Sequence, residues 1–335
     1  MIKKIFIVIS AIFFSVSLYS QQSPVDNISL NDLYIPDVPG FVLSDKAPSA
    51  VDKPVTPRAF GISLLNLWQG GAVDVTPYWL TSKPSYTFDQ WINKKFTVAE
   101  TFNLSAATFK TDTSSILSAG FRTQVFRIYT NGQKNAMMQK KKEIVQLLAP
   151  EFDEQDNVLP LSDSALLAIK DKLGEMELLK TKDLFSVELA GALIGSSPNN
   201  SFKGLASSRS GVWLNLRWSP AKSMMDFTGV ARYSWANNTE AKVGKDSSFL
   251  DLGVALNYQK DKFNLSLEFV SRNDYSVKKN YDRFAFVANY VLSENVIIVA
   301  SIGKNFSNVD NIVSAFGVKF GVSRSRVSLS APASR

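Results

Sequence analysis

A strict two-residue alternation in Phe249–Tyr258 (FLDLGVALNY) constrains the fold more than any other feature of the sequence. Leu250, Leu252, Val254 and Leu256 fall on one side of this segment, and small or polar residues, including an aspartate, fall on the other. Because successive side chains of an extended strand point to opposite faces, the pattern predicts a strand with one apolar and one polar face. Soluble sheets alternate in the same way, so one strand does not show whether the sheet is in water or in lipid. Repetition of the pattern along the chain is needed to distinguish the two.

The alternation recurs down the C-terminal half of the chain and is less regular in the fourth and eleventh of about twelve predicted strands, most of which are ten to thirteen residues long. Strands of soluble sheets average about five or six residues, whereas a tilted strand needs about 9–11 residues to cross a bilayer. The lengths therefore favour strands that span a membrane. The predicted strands are 58–68, 72–81, 100–112, 115–128, 184–195, 211–220, 224–236, 247–259, 262–273, 281–293, 295–306 and 312–323.

Connections in the C-terminal half alternate between short turns and long polar loops. The segments SPAKS, QKDK and LSEN are short, and between them lie polar connections of thirteen to fifteen residues. Short turns at one end and long loops at the other are typical of transmembrane barrels, whose short turns face the periplasm. An even strand count places both ends of the predicted barrel on that periplasmic side.

The amino end predicts export. Met1–Lys4 is basic and Ile5–Leu18 is an almost unbroken apolar run, so residues 1–20 are predicted to be a cleaved signal peptide. Residues 21–57 contain six prolines, which cannot donate to a β-ladder. This segment is predicted to be an N-terminal periplasmic arm that lies under or inside the main domain, and a disordered leader is the alternative.

Signal peptide, alternation, loop asymmetry and even strand count together resemble the bacterial outer-membrane β-barrel class, which is porin-like. The resemblance covers residues 58–326 and includes no subfamily motif. It implies an all-β membrane protein, an antiparallel transmembrane β-barrel of about twelve strands, to which the sequence itself adds an α-helical hairpin insertion. It also implies the outer membrane of a Gram-negative bacterium as the location and outer-membrane lipid as a partner. Barrels of this class often end in an aromatic residue, whereas here a polar tail, residues 327–335, follows the last strand.

Residues 130–183 interrupt the strand pattern between the fourth and fifth predicted strands. Asn135–Leu148 is predicted to be one helix, and Ser162 is a plausible N-cap for a second helix that ends near Lys180. Strand parity places this hairpin at the periplasmic end. It could plug the pore, dock a periplasmic partner or act as a packed structural lid. A shorter helix or strand extension is predicted at 83–99.

Charged and amide side chains lie opposite the apolar stripe in several strands and are predicted to face the lumen. They either line a water-filled path, with the arginines favouring anionic solutes, or pair across the lumen into a hydrogen-bonded plug. The lumen-lining candidates are Asp74, Arg122, Gln124, Glu188, Asn215, Arg217, Asp226, Arg232, Asp251, Asn257, Glu268, Arg272, Arg283, Asn289 and Lys319.

Residue types that the chain lacks weigh against catalysis. The sequence has no His and no Cys, so the commonest general base and zinc ligand are missing. No phosphate-binding glycine loop occurs, and the acidic run 151–156 lacks the spacing and glycine of a calcium loop. We therefore expect no enzyme, no cofactor, no metal site and no nucleic-acid partner.

Two functions follow from these expectations. The first is a channel for passive or gated passage of small polar solutes. The alternative is a non-conducting outer-membrane anchor or assembly component, which docks periplasmic or other outer-membrane proteins through the arm and the 130–183 hairpin. Uptake of hydrophobic molecules is disfavoured by the charged inner wall.

Overall fold

A closed antiparallel barrel forms the body of the chain in a computed structural model. The structure describes residues 27–29, 34–65, 70–81, 86–110, 114–149, 161–180, 182–198, 203–220, 223–236, 247–293, 295–306, 312–322 and 326–329. The predicted signal peptide, the acidic run 151–156 and the end of the tail from residue 330 lie outside the described residues.

In chain order the strands are β1 (Asn27–Ser29), β2 (Phe60–Leu65), β3 (Gly70–Val75), β4 (Asn103–Lys110), β5 (Ser114–Ile128), β6 (Phe185–Pro198), β7 (Ala206–Trp218), β8 (Met225–Ala236), β9 (Ser247–Lys260), β10 (Phe263–Asp274), β11 (Lys279–Ser293), β12 (Val296–Lys304), β13 (Ile312–Val322) and β14 (Arg326–Ser328). Each strand from β2 to β13 pairs with the next, and β13 pairs with β2, so the described residues form a closed barrel of twelve antiparallel strands. β1 and β14 pair separately. The predicted twelve-stranded antiparallel barrel is confirmed.

The outer face of the barrel is apolar and exposed, and the inner face is polar and buried. In β9, Leu252 is 55% exposed and Val254 is 62% exposed, whereas Asp251 and Asn257 are almost fully buried. This arrangement is the reverse of a water-soluble sheet and matches a lipid environment outside the barrel. Closure leaves no strand edge, so the backbone N–H and C=O groups in the wall pair within the ladder.

Helices occupy the chain before the barrel and the connections at its short-turn end. They are α1 (Pro39–Leu43), a 3-10 helix at Pro77–Leu80, α2 (Phe88–Asn93), α3 (Val98–Thr101), α4 (Asn131–Leu147) and α5 (Asp163–Lys180). In the part of the chain that the structure describes, no helix is both long and apolar enough to cross a membrane.

A helical layer, made of the 3-10 helix, α2, α4 and α5, has an apolar core of its own. Trp79, Trp91, Met137, Ile169 and Met176 are buried in this core. Lys182 Nζ donates to the carbonyl of Ser223, 2.8 Å away, which ties the end of the insertion to a short turn of the barrel. The layer therefore lies at the short-turn end of the barrel.

Side-chain capping sets the start of α4, which lies four residues before the predicted 135. Thr130 accepts from the backbone N–H of Gln133, and the Gln133 side chain accepts from the backbone N–H of Thr130. Within the hairpin a hydrogen bond from Lys172 lowers the pKa of Glu143, a partly exposed group outside the membrane.

Two predicted boundaries differ from the structure. The strand predicted at 72–81 is β3 and ends at Val75, because Pro77 opens the 3-10 helix and has no N–H for the ladder. The polar tail predicted at 327–335 begins with part of β14, and Leu329 is fully buried beside Ile28 of β1 in the core of the helical layer.

We predict that Leu252→Arg destabilises the assembled barrel by about 2–4 kcal/mol, because the substitution places a charge near the middle of the lipid-facing wall. Its control is Leu167→Arg on α5, where the leucine is 63% exposed at the short-turn end. We expect that change to stay within about 0.5 kcal/mol. Denaturant unfolding in detergent or lipid measures both. Equal costs at the two sites would contradict the assignment of the outer wall to lipid.

Candidate functional site

Residues 34–58 lie inside the barrel and fill its lumen; we call this segment the lumen plug. Apart from the stretch around Asp45 and the partly exposed Tyr34, its residues are buried. Tyr34 borders a small cavity with the short turn at 259–263, and Arg58 donates to the carbonyl of Gly321 near the end of β13. Both legs of the plug therefore leave at the short-turn end. The N-terminal arm was predicted to lie under or inside the main domain, and residues 34–58 of it lie inside.

The plug reverses direction at Asp45, which forms its tip. Asp45 has a φ of 58°, in the left-handed region, and the N–H groups of Lys46 and Ala47 both donate to the carbonyl of Phe41 at 3.0 Å. α1 leads into this reversal, and Asn305, which follows β12, donates to the Asp45 carbonyl. The tip therefore points toward the end of the barrel that carries the long loops.

Wall side chains satisfy the backbone of the plug. Five prolines at positions 36, 39, 48, 54 and 57 keep the segment out of any ladder. Lys319 Nζ donates to the carbonyl of Ile35 at 2.8 Å, and one Arg283 nitrogen donates to two consecutive plug carbonyls. Glu268 accepts from the N–H of Ala50 at 2.8 Å and from the hydroxyl of Ser49 at 2.5 Å. Buried backbone groups need such partners, and here the inward side chains of the strands supply them.

An apolar contact holds α1 against the wall. Phe41, Val42 and Leu43 are buried against small inward residues such as Ala107 and Ala190, which leave room for the helix. At Gly40 a Cβ atom would overlap the hydroxyl of Ser118, so the close approach of α1 to β5 requires glycine.

Three arginines surround the carboxylate of Asp45; we call Arg209, Arg232 and Arg272 the arginine cage. Arg272 binds both carboxylate oxygens at 2.8 Å, Arg209 binds one at 2.9 Å, and Arg232 lies 3.5 Å from the other. Asp251 lies behind the cage and binds Arg232 at 2.6 Å and Arg272 at 2.7 Å. The cage thus joins strands β7, β8 and β10 to the tip of the plug.

Further ion pairs run along both legs of the plug. Asp37 pairs with Lys319 at 2.8 Å. Asp52 lies 3.7 Å from Arg122, and Lys53 lies 3.6 Å from Asp226. The charges of the plug are therefore complementary to charges on the wall along its whole length.

The structure buries the predicted lumen-lining residues, except Asp74, which is partly exposed and accepts from Asn103 at 2.9 Å. Gln124 lies beneath α3, where its carbonyl accepts from Thr97 at 2.9 Å, and Asn289 borders the same small cavity as Tyr34.

Side chains of the set that contact the plug are Arg122, Asp226, Arg232, Glu268, Arg272, Arg283 and Lys319. Contacts within the wall are made by Glu188 with Asn215, by Arg217 with Asp226, by Asn257 with Asp226 and by Asp251 with Arg232.

Sequence reasoning missed the residues that the plug contributes and one arginine of the cage. Arg209 precedes the predicted strand 211–220, and the structure extends β7 back to Ala206. Asp37, Asp45 and Asp52 lie in the proline-rich arm, where no periodicity indicates a facing partner. The available signal was compositional, since an arm that carries several acids precedes a barrel whose predicted inner wall carries arginines.

Comparisons with known proteins give only distant structural neighbours. No protein-family model matches the chain, and no curated protein matches it in sequence. Among solved structures, the NanC porin is 10% identical, with 78% of this chain and 98% of that chain covered and a TM-score of 0.38. The KdgM porin is 11% identical, with 78% and 97% covered and a TM-score of 0.37. The β domain of the Bordetella autotransporter BrkA is 7% identical, with 79% and 99% covered and a TM-score of 0.34.

At these identities and TM-scores the neighbours carry no argument about what passes through this barrel. The closed ladder and the apolar outer face argue independently of them that the wall is in contact with lipid. Outer-membrane proteins of this architecture combine a closed antiparallel barrel, short turns at one end, long loops at the other and an apolar outer band, and this chain has all four. The protein is therefore an outer-membrane β-barrel, and its lumen is the candidate functional site.

We predict that Asp251→Asn destabilises the folded protein by about 3–5 kcal/mol, because Arg232 and Arg272 then lose a buried partner carboxylate. Its control is Glu175→Gln, which removes an exposed partner 2.6 Å from Lys140 in the helical layer and which we expect to leave stability unchanged. Chemical denaturation of the detergent-purified variants compares them. A loss at Glu175 as large as that at Asp251 would contradict the role assigned to burial.

Proposed function

We propose that the protein is an outer-membrane channel for small polar solutes that the lumen plug holds closed and that opens when the plug withdraws. The observation that carries this proposal is the way the plug is attached. Its links to the wall run through side chains and not through the β-ladder. Withdrawal would therefore leave every strand pair of the barrel intact.

The path of the plug supports withdrawal in one direction. Both legs leave at the short-turn, periplasmic end, and the reversal at Asp45 points the opposite way. A hairpin with this path can retract toward the periplasm without threading a chain end through the lumen. The helical layer packs around its own core beside the exit, so the plug and not the helical hairpin fills the lumen.

The composition of the wall supports polar solutes. Arg122, Asp226, Glu268 and Lys319 would face water once the plug leaves. A twelve-stranded barrel is wider than one layer of side chains can fill, so an emptied lumen lined by these groups would hold water.

The energetics are compatible with reversible opening. Buried ion pairs give little net stability, because desolvation of the two charges offsets most of their attraction. Hydration of the wall and of the plug would return much of that desolvation cost on opening. The ion-pair contribution to closure is thus a small difference between two large terms, which a modest change in the plug can shift, whereas the apolar contacts of α1 with the wall favour the closed state.

We predict that the triple variant Asp37→Asn, Asp45→Asn, Asp52→Asn conducts in planar bilayers, whereas the unchanged protein shows few or no unitary currents. The variant removes the three plug carboxylates that pair with Lys319, the arginine cage and Arg122. Its matched control neutralises three carboxylates of the helical layer, Asp89→Asn, Glu143→Gln and Glu175→Gln. These pair with lysines outside the lumen, and we expect the control to stay closed.

Assembly of each variant is checked by its heat-modifiable mobility on gels. An assembled triple plug variant that shows no unitary currents would refute the channel and leave the non-conducting anchor as the function. Equal currents from the control variant would refute the role of the plug as the gate.

A further inference from the structure

The arginine cage binds the Asp45 side chain in the way that proteins bind free carboxylates. Arg272 makes a two-pronged contact with both oxygens at 2.8 Å, and Arg209 adds a third short contact. Planar guanidinium groups match the geometry of a carboxylate in this arrangement, which a lysine cannot reproduce. The tip of the plug therefore presents a carboxylate, on a single methylene, to a complete binding site.

The cage is pre-organised by neighbours other than the plug. Asp251 holds Arg232 and Arg272 from behind at 2.6–2.8 Å. Phe306 lies against the guanidinium of Arg272, with 3.7 Å to the ring centroid, and Phe249 lies between Arg209 and Arg272 at 5.3 and 5.4 Å. These contacts would keep the guanidinium groups in place after Asp45 leaves.

Charge at the cage requires an anion. Among the described residues, three arginines face two carboxylates, those of Asp45 and Asp251, and the buried Nε atom of Arg209 has no hydrogen-bond partner there. Removal of Asp45 would leave three positive charges beside one negative charge in a site with little exposure to solvent. An unneutralised buried charge is costly, so the vacated cage would favour a replacement anion.

A cavity on the long-loop side borders the tip of the plug, and the arginine cage itself is not part of its lining. It has a volume of about 110 Å³ and borders Asp45 together with Lys46, Arg283, Lys304 and Asn305. The charged residues of its lining are three cations, Lys46, Arg283 and Lys304, and one acid, Asp45, so the approach to the tip carries net positive charge and would concentrate anions.

We infer that the arginine cage is the recognition site for the carboxylate group of a solute, and that Asp45 occupies it as an internal substitute while the plug is seated. The inference rests on the proposed channel and names the class of solute it takes, small organic acids. An incoming carboxylate competes with Asp45 for the same arginines. Binding of the solute and release of the tip are then the same exchange.

The substitution Asp45→Gly tests the site directly. Glycine tolerates the positive φ at this position, and the change removes a fragment with the size and charge of acetate. We expect acetate to bind the purified variant in an isothermal titration, whereas acetamide, which has the same shape without the charge, does not bind. Adding Arg209→Gln to this variant should weaken acetate binding about ten-fold or more, because a charge-assisted hydrogen bond is lost.

The matched control is Arg217→Gln in the same Asp45→Gly background. Arg217 also faces inward and is more buried than Arg209, but it pairs with Asp183 and Asp226, so acetate affinity should not change. Should Asp45→Gly fail to assemble, Asp45→Asn keeps the shape of the tip and takes the same titration, with acetate then competing against an uncharged amide.

Three results would overturn the inference. Acetate and acetamide could bind equally, Arg209→Gln could leave acetate affinity unchanged, or sulfate could bind more tightly than acetate, which would assign the cage to tetrahedral oxyanions. Recordings of current through Asp45→Gly in planar bilayers, set beside the acetate titration, separate the two proposals. Current without acetate binding refutes the carboxylate site alone, whereas acetate binding without current from any plug variant refutes the channel and with it a transported solute.

Discussion

The hydrocarbon core of a bilayer cannot hydrogen-bond to a peptide group, and this constraint determines the architecture of the protein. Each N–H and C=O in the wall has to pair within the chain, and a closed barrel achieves this without an edge strand. Closure in turn separates the residues into two environments. Leu252 and Val254 face the apolar exterior, while Asp251 and Asn257 of the same strand face inward. The polar interior is thus a consequence of the lipid outside, and its buried polar and charged side chains need hydrogen-bond and ion-pair partners.

The lumen plug supplies such partners. Its backbone groups bond to side chains of the wall, whereas the backbone groups of a strand bond to neighbouring strands. Prolines exclude it from the ladder, so its carbonyl and N–H groups depend on wall side chains such as Lys319, Arg283 and Glu268. The wall gains neutralising carboxylates in exchange, above all from Asp45. A segment held by such reciprocal contacts can leave without breaking the barrel, which links the packing of the lumen to the proposed gate. Because Asp45 binds the cage as a free carboxylate would, the same contacts could report the arrival of an organic acid.

Local pattern predicted the elements with regular periods. The barrel class, the strand count, the helical hairpin at the short-turn end and the polar inner face were all predicted from alternation, loop length and capping residues. Boundaries were less accurate where a single residue decides them. Pro77 ends β3 early, and the capping box between Thr130 and Gln133 starts α4 four residues before the predicted position. Arg209 was missed because it lies just before the predicted strand, in a region assigned to a loop.

The sequence by itself determined that this chain builds a membrane-spanning barrel with a charged interior. Side-chain alternation is a local property, because within each strand the apolar face contacts lipid and the polar face points to the interior. Only the tertiary structure decided what fills that interior. Asp45 and Arg272 are 227 residues apart, and no periodicity connects a proline-rich arm to particular arginines on β7, β8 and β10. Their meeting follows from closure of the barrel, which directs the inward side chains of distant strands into one narrow space where each buried charge needs an opposite partner.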